Sequence, residues 1–179
     1  YNIMNLLEET IIFILSQIYK VKKDNLSQIE LFKLLYLIET ESYRYTGDSF
    51  FNEEVLFTRD KNGPISVDVY KALDNLSDFV QKKEEKKPDY LYKRHSFYIK
   101  EGVKYELKKL RQDQKLFINS VLLSFGGLTI KRLKEKAYET EPMLDMISKE
   151  QKRGVECFKG ASLNFKTIKL DKDMKEIYG

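Results

Sequence analysis

The sequence predicts a mainly α fold of the α+β type, a compact multi-helix domain with a few short strands. Apolar side chains recur at steps of three and four residues through most of the chain, which is the period of a helix packed on one face. Serine, threonine and glycine stand where these segments are expected to start and stop. Short β-rich runs beside turn-forming residues predict the strands. At 179 residues the chain is long enough to bury a substantial core, so we expect one domain over 1–179.

The N-terminal part predicts two helices. The first carries its apolar face on Met4, Leu7, Ile11, Ile14, Leu15 and Ile18. The second starts at Ser27 and Glu30, which have the S-x-x-E spacing of a capping box. Its apolar stripe is formed by Leu31, Leu34, Leu35 and Ile38, widened by Phe32 and Tyr36.

Residues 57–73, FTRDKNGPISVDVYKAL, allow two interpretations. Asn62-Gly63 between apolar alternations favours a hairpin. Pro64 after the glycine, and helical spacing in the residues that follow, favour a helix start. We interpret the segment as a strand, a tight turn at Asn62-Gly63 and then a helix.

The predicted strand covers 53–59, and the helix that follows the turn extends from Ser66 to about Val80. Ser66 is the expected N-cap, and Asp68 is expected to favour the first turn through the helix dipole.

The second half alternates charged and apolar segments. The run 81–94 carries nine charges in 14 residues and a proline, which indicates an exposed connector. Residues 95–100 predict a strand, whereas 104–110 fit either a strand or a helix.

Three further elements follow. A helix over 112–125, with Leu116, Phe117, Val121 and Leu122 or Leu123 as its apolar residues, is expected to stop at Gly126-Gly127. Thr129 caps the next helix, and Glu141-Pro142 ends it and opens a short helix with Met143, Met146 and Ile147. Residues 163–170 alternate as a strand would, although a tail that depends on a partner fits equally.

The residues that usually carry catalysis are scarce. His95 and Cys157 are the only histidine and cysteine, so these two residue types alone cannot build a zinc site. Neither a Walker loop nor a Rossmann glycine turn occurs. We therefore expect a protein that is not an enzyme, with no catalytic residue, no metal site and no cofactor.

Composition also bears on the compartment. One cysteine permits no internal disulfide, and no apolar run reaches the roughly 20 residues that cross a bilayer. We expect a cytoplasmic protein with no membrane partner.

Charge is unevenly distributed. Residues 1–81 carry a net charge of −5 and residues 82–179 a net charge of +9. Lys131, Arg132, Lys134 and Lys136 form a basic cluster beside Thr129. Such a cluster could bind a phosphate backbone or serve as a solvated helix face, so nucleic acid is an alternative partner.

Three segments together resemble one known family. They are LSQIELFKLLYLIETESYRYTGDSFF, NGPISVDVYKAL and LLSFGGLTIKRLKEKAYETEPM, in this order. They are similar to the Panacea domain family, the SocA-like proteins that are also phage-associated. The matching residues are Lys33, Leu34, Leu35 and Tyr36, then Gly63, Pro64, Ile65, Val69 and Tyr70, then Leu128, Leu133, Thr140, Glu141 and Pro142. The resemblance covers about 4–147 and leaves 148–179 as a C-terminal extension.

The resemblance implies a mostly helical domain with a small antiparallel β-sheet. It also implies the antitoxin of a bacterial or phage toxin–antitoxin system, which neutralises a cognate protein toxin by direct binding. A proteolytic adaptor that delivers the toxin to an ATP-dependent protease is one alternative hypothesis. A nucleic-acid-binding regulator that uses the basic C-terminal half is another.

The motif residues are divided between contact and structure. Lys33 and Tyr36 are expected to point partly away from the core stripe, and with Tyr70 they are the candidates for binding the partner protein. Structural roles are expected for Leu34, Leu35, Gly63, Pro64, Ile65, Val69, Thr140 and Pro142.

Overall fold

A computed structural model describes residues 3–86 and 94–178. Its helices are α1 (Leu6–Lys22), α2 (Gln28–Thr46), α3 (Val67–Asn75), α4 (Gln112–Val121), α5 (Ile130–Tyr138), α6 (Glu141–Arg153) and α7 (Lys172–Tyr178), with a π-helix at Leu122–Gly126 and a 3-10 helix at Phe165–Thr167. Its strands are β1 (Leu26–Ser27), β2 (Thr58–Asp60), β3 (Gly63–Ile65), β4 (Val80–Glu85) and β5 (Arg94–Ile99). This mainly α fold with small antiparallel sheets confirms the predicted class.

The chain divides into two compact units. The first unit comprises Tyr1–Leu31 and Val69–Gly127, and the second comprises Phe32–Asp68 and Leu128–Gly179. A single domain over the whole chain stays a prediction.

Helix α1 provides much of the core of the first unit. It begins with a capping box in which the Glu8 amide donates to Asn5 Oδ1 at 2.8 Å and the Asn5 amide donates to Glu8 Oε1 at 2.9 Å. The predicted apolar face is buried from Leu7 to Ile18. The carboxylate of buried Glu9 accepts from the amides of Lys109 and Leu110, which fixes an irregular segment against this helix.

The sheet of the first unit has the strand order β1-β5-β4, with all pairs antiparallel. The predicted strand over 95–100 is confirmed as β5. The connector predicted over 81–94 is wrong at both ends, because β4 and Arg94 belong to this sheet, while 87–93 lie outside the described residues. Strand β4 tolerates its charges because it is an edge strand whose side chains are mostly exposed.

The predicted helix over 112–125 is present as α4 followed by the π-helix, but its apolar stripe is displaced. Leu116 and Leu123 are 60% and 79% exposed, whereas Ile118, Val121 and Leu122 are buried. The segment ends at the predicted glycines. Gly126 also allows close packing, since a Cβ there would lie 3.4 Å from Ile18 Cδ1.

Helix α2 starts at the predicted capping box. The Glu30 amide donates to Ser27 Oγ at 3.2 Å, and the Ser27 amide donates to Glu30 Oε1 at 3.3 Å. Further along, every residue from 31 to 40 is buried, so the helix is covered on all sides rather than along one stripe. A helix without a solvent face must satisfy its polar side chains internally.

The FTRDKNGPISVDVYKAL segment contains both the hairpin and the helix start, but two details differ from the prediction. The turn lies at Lys61-Asn62 rather than at Asn62-Gly63, and the strand before it is Thr58–Asp60 rather than 53–59. Strands β2 and β3 form a two-residue hairpin in which Asp60 pairs with Gly63 and Thr58 with Ile65. The backbone of Gly63 has φ +112°, which a side chain would strain. Helix α3 follows at once.

Two details of α3 differ from the prediction. The helix ends at Asn75 and not near Val80, which is instead the first residue of β4. Ser66 precedes the helix, but its buried Oγ has no hydrogen-bond partner within 3–86 and 94–178, so it provides no side-chain cap. Asp68 lies in the first turn as expected and accepts from the Leu56 amide at 2.8 Å.

The C-terminal part of the second unit continues the hairpin. Thr129 caps α5 by accepting from the Arg132 amide at 3.2 Å, as predicted, and α6 starts with Pro142 in its first turn. Residues 160–163 lie along β2, where the Arg59 amide donates to the Ala161 carbonyl at 2.8 Å. The strand predicted over 163–170 is wrong, since only its first residue, Leu163, bonds to the backbone next to β2 and Phe165–Thr167 form a 3-10 helix.

Replacing Ser27 by alanine should lower the free energy of unfolding by about 1 kcal/mol, because the cap to the Glu30 amide is lost. Urea denaturation measures this. Ser120→Ala is the matched control, since exposed Ser120 only bonds a carbonyl of its own helix and should change stability little. Equal effects of the two substitutions would contradict the assigned cap.

Candidate partner-binding site

Two of the predicted contact residues lie inside the second unit. Lys33 is 3% exposed and Tyr36 is 0% exposed. The expectation that they point away from the core is wrong, because the whole surface of α2 around them is covered. Their polar ends therefore bond to other parts of the protein, and their role in partner binding stays a prediction.

Lys33 holds the hairpin turn. Its Nζ donates to the Asn62 carbonyl at 2.9 Å. Burial, assisted by nearby Lys134, lowers the pKa of Lys33 to about 8, while Asp60 acts in the opposite direction. A Cβ on Gly63 would lie 3.7 Å from Lys33 Nζ and 3.3 Å from a ring carbon of Tyr138, so the glycine also admits these side chains.

A buried ion pair that sequence analysis did not identify supports the other side of the turn. Arg59 Nε donates to Glu150 Oε2 at 3.0 Å, and both side chains are almost fully buried. Arg59 Nη1 also donates to Tyr138 Oη, which in turn donates to the Lys61 carbonyl, both at 3.1 Å. The partners of the ion pair are 91 residues apart, which no local pattern reveals.

Tyr36 joins α2 to the start of α6. Its hydroxyl donates to Thr140 Oγ1 at 2.6 Å, and Thr140 Oγ1 donates to the Ala137 carbonyl at 2.6 Å. Burial raises the pKa of the Tyr36 hydroxyl well above its usual value. Its ring centroid lies 5.6 Å from that of Phe57 and 5.7 Å from that of Phe165, within an aromatic cluster.

A second pair reinforces the same junction. Arg44 donates to both carboxylate oxygens of Glu141, at 2.9 and 2.7 Å. This bidentate contact lowers the pKa of Glu141 to about 2. The Lys169 amide donates to the same carboxylate at 2.8 Å, so Glu141 also fixes the C-terminal extension.

The structure thus brings residues of all three predicted motifs together in the second unit. Lys33 contacts the turn beside Gly63, and Tyr36 contacts Thr140 beside Pro142. Of the residues with expected structural roles, Ile65 is half-buried and the others are buried. The buried residues are Leu34, Leu35, Gly63, Pro64, Val69, Thr140 and Pro142. Their burial supports the structural roles expected of them, which stay predictions.

Tyr70 is the predicted contact residue at the surface. It belongs to the first unit, is 43% exposed and accepts a hydrogen bond from Gln28 Nε2 at 3.2 Å. It lines a cleft of about 220 Å³, which we call the Tyr70 cleft. Leu73, Val80 and Phe97 form its apolar lining, and Gln28, Asp74 and Lys82 are among its polar residues.

The basic cluster on α5 is partly neutralised within its own helix. Arg132 pairs with Glu135 and Lys136 with Glu139, each at a spacing of three residues. Lys134 lies 5.6 Å from the centroid of the Tyr138 ring. Nucleic-acid binding by this cluster stays a prediction.

Among the described residues, no group of three or more His, Cys, Asp and Glu could hold a metal ion. No single helix within the same ranges is long and apolar enough to cross a membrane.

The three motifs of a recognisable class of helical antitoxin domain lie on α2, on the hairpin with α3, and on the segment from Leu128 through α5 to the start of α6. A family model described as "Antitoxin SocA-like, Panacea domain" matches residues 31–142. The chain therefore belongs to this family, which confirms the resemblance and supports a general antitoxin-like role. No curated protein and no solved structure matches the chain.

The bond between Tyr36 and Thr140 is testable by a double-mutant cycle. Tyr36→Phe should lower the free energy of unfolding by about 1 kcal/mol, because a buried hydrogen bond is lost. Added to Thr140→Val, the same substitution should cost much less, since its partner is already missing. Fully additive effects in chemical denaturation would show that the two hydroxyls do not interact.

Lys33 should make stability depend on pH. Its pKa of about 8 in the folded chain lies below the ordinary value, so the unfolded chain binds more protons between these values and stability should rise with pH there. Relative to Lys33→Met, the wild-type free energy of unfolding should increase from pH 8 to 9.5. Denaturant titrations at several pH values measure this. Parallel profiles for the two proteins would contradict a buried, protonated Lys33 below pH 8.

Proposed function

We propose that this protein is an antitoxin that neutralises a cognate protein toxin by binding it directly. The observation that carries the proposal is the antitoxin family match over residues 31–142, which includes all three motifs. The toxin is expected to be the product of the adjacent gene.

The Tyr70 cleft is the proposed contact surface. A tyrosine offers a large, rigid apolar ring and a hydroxyl for bonding, and such residues often dominate the binding energy of interfaces. The bond from Gln28 orients the ring before a partner arrives, which reduces the entropy lost on binding. Lys33 and Tyr36 would act as positioning residues in the second unit.

Co-expression with the adjacent toxin tests the function itself. The antitoxin should restore growth, and the two proteins should co-purify. Absence of both results would contradict the proposal. Rescue that disappears in cells lacking their ATP-dependent proteases would instead indicate an adaptor that delivers the toxin for degradation.

Tyr70→Ala should weaken toxin binding by about 30-fold, the loss typical of an interface residue worth 2 kcal/mol, with little change in thermal midpoint. Isothermal titration calorimetry measures the affinity. Tyr19→Ala is the matched control, because Tyr19 is 48% exposed, lies in the same unit and forms a side-chain hydrogen bond with Asn25. Equal losses in both variants, or no loss at Tyr70, would exclude the cleft as the contact.

A further inference from the structure

Strand β4 is the exposed edge of the sheet in the first unit. It pairs with β5 on one side, and no other described residue pairs with it in the sheet order β1-β5-β4. The opposite edge, β1, is only two residues long and is buried. An open strand of six residues is a template for pairing with another chain.

The register shows which backbone groups of β4 face outward. The Lys100 amide donates to the Phe79 carbonyl at 2.8 Å, so these two residues form a hydrogen-bonded pair next to the ladder. Hydrogen-bonded and non-bonded pairs alternate in an antiparallel ladder. Lys82, three residues after Phe79, therefore opposes Phe97 in a non-bonded pair, and its own N–H and C=O point away from β5.

Lys82 is available for a partner. No described residue accepts from its amide or forms an ion pair with its ammonium, and the side chain of Gln81 donates to its carbonyl. The neighbouring Lys83, by contrast, lies 3.4 Å from the carboxylate of Glu85. The outward edge at Lys82 thus presents a backbone donor and a positive charge.

The same face of β4 borders the Tyr70 cleft. Val80 and Lys82 both line the cleft, because side chains two residues apart share one face of a strand. A strand paired antiparallel to β4 would place a residue opposite Val80 two positions after the residue opposite Lys82. The partner residue opposite Val80 would meet the apolar lining of the cleft, and the partner residue opposite Lys82 would meet the ammonium group.

The edge of the hairpin in the second unit is not open in this way. The β2 edge is occupied by residues 160–163 of the same chain, through bonds at Arg59 and Phe57. Strand addition at β2 would first have to displace this segment.

We propose that β4 binds an extended segment of the toxin as an additional antiparallel strand. The inference rests on the proposed function and specifies its mode of recognition. The segment carries an acidic residue opposite Lys82 and, two residues later, an apolar side chain that enters the Tyr70 cleft. Main-chain bonds to the edge provide affinity, while the charge and the cleft provide specificity.

Two substitutions at one position separate the backbone from the side chain. Lys82→Pro removes the outward N–H without removing a ladder bond to β5, and it should weaken binding of the purified toxin by about tenfold or more, as expected for a lost buried bond. Lys82→Ala keeps the N–H and should weaken binding only a few-fold. Titration calorimetry gives the affinities, and thermal midpoints confirm that both variants fold.

The outcomes are distinguishable. A folded Lys82→Pro variant with wild-type affinity, or equal losses in both variants, would overturn strand addition while leaving the antitoxin function intact. If the wild-type chain neither binds the toxin nor restores growth, the proposed function fails and this inference fails with it.

Hydrogen exchange of the wild-type complex decides the question if Lys82→Pro does not fold. The Lys82 amide should exchange at least tenfold more slowly when the toxin is bound, because it then lies within a ladder. An unchanged exchange rate at Lys82 in the complex would overturn the proposal. Protection only on the basic helix α5 would overturn it as well.

Discussion

The structure of the second unit depends on the complete burial of α2 between residues 32 and 40. Burial of its leucine, isoleucine and aromatic side chains provides a large hydrophobic contribution. The same burial removes Lys33 and Tyr36 from water, so an ammonium and a hydroxyl must find partners within the fold. One bonds the hairpin turn and the other bonds the start of α6, and the constraint of one buried helix thereby fixes two distant segments.

This arrangement changes the meaning of the family motifs. A lysine and a tyrosine next to a core stripe suggest a surface for a partner, yet here both are buried and hydrogen-bond to other segments of the second unit. Their hydrogen bonds hold the turn beside Gly63 and the hydroxyl of Thr140 in place inside the second unit. Tyr70, which is half exposed beside a cleft in the first unit, has the properties of a contact residue.

The family match ends at Pro142, but the second unit uses residues beyond it. Glu150 pairs with buried Arg59, and residues 160–163 bond to the backbone of β2 through an isolated bridge at Ser162. Phe165 stacks against Tyr43 with ring centroids 5.5 Å apart. The C-terminal extension is therefore part of the packed structure. A buried pair such as Arg59 and Glu150 contributes little net stability but is costly to break, so it favours one arrangement of these segments.

The sequence alone determined helices α1 to α6, the caps at Ser27 and Thr129, a chain reversal next to Gly63 and the family, because each depends on residues that are close in the chain. It did not determine that α2 is covered on all sides between residues 31 and 40, that the charged run after Val80 forms an edge strand, or that Arg59 pairs with Glu150. These features arise from contacts between segments many residues apart. Periodicity identifies the face of a helix that will be buried, but only tertiary packing decides whether the remaining faces are covered too. For that reason the sequence was enough to find the motifs, whereas only the structure shows which motif residues are buried and hydrogen-bonded and which are exposed.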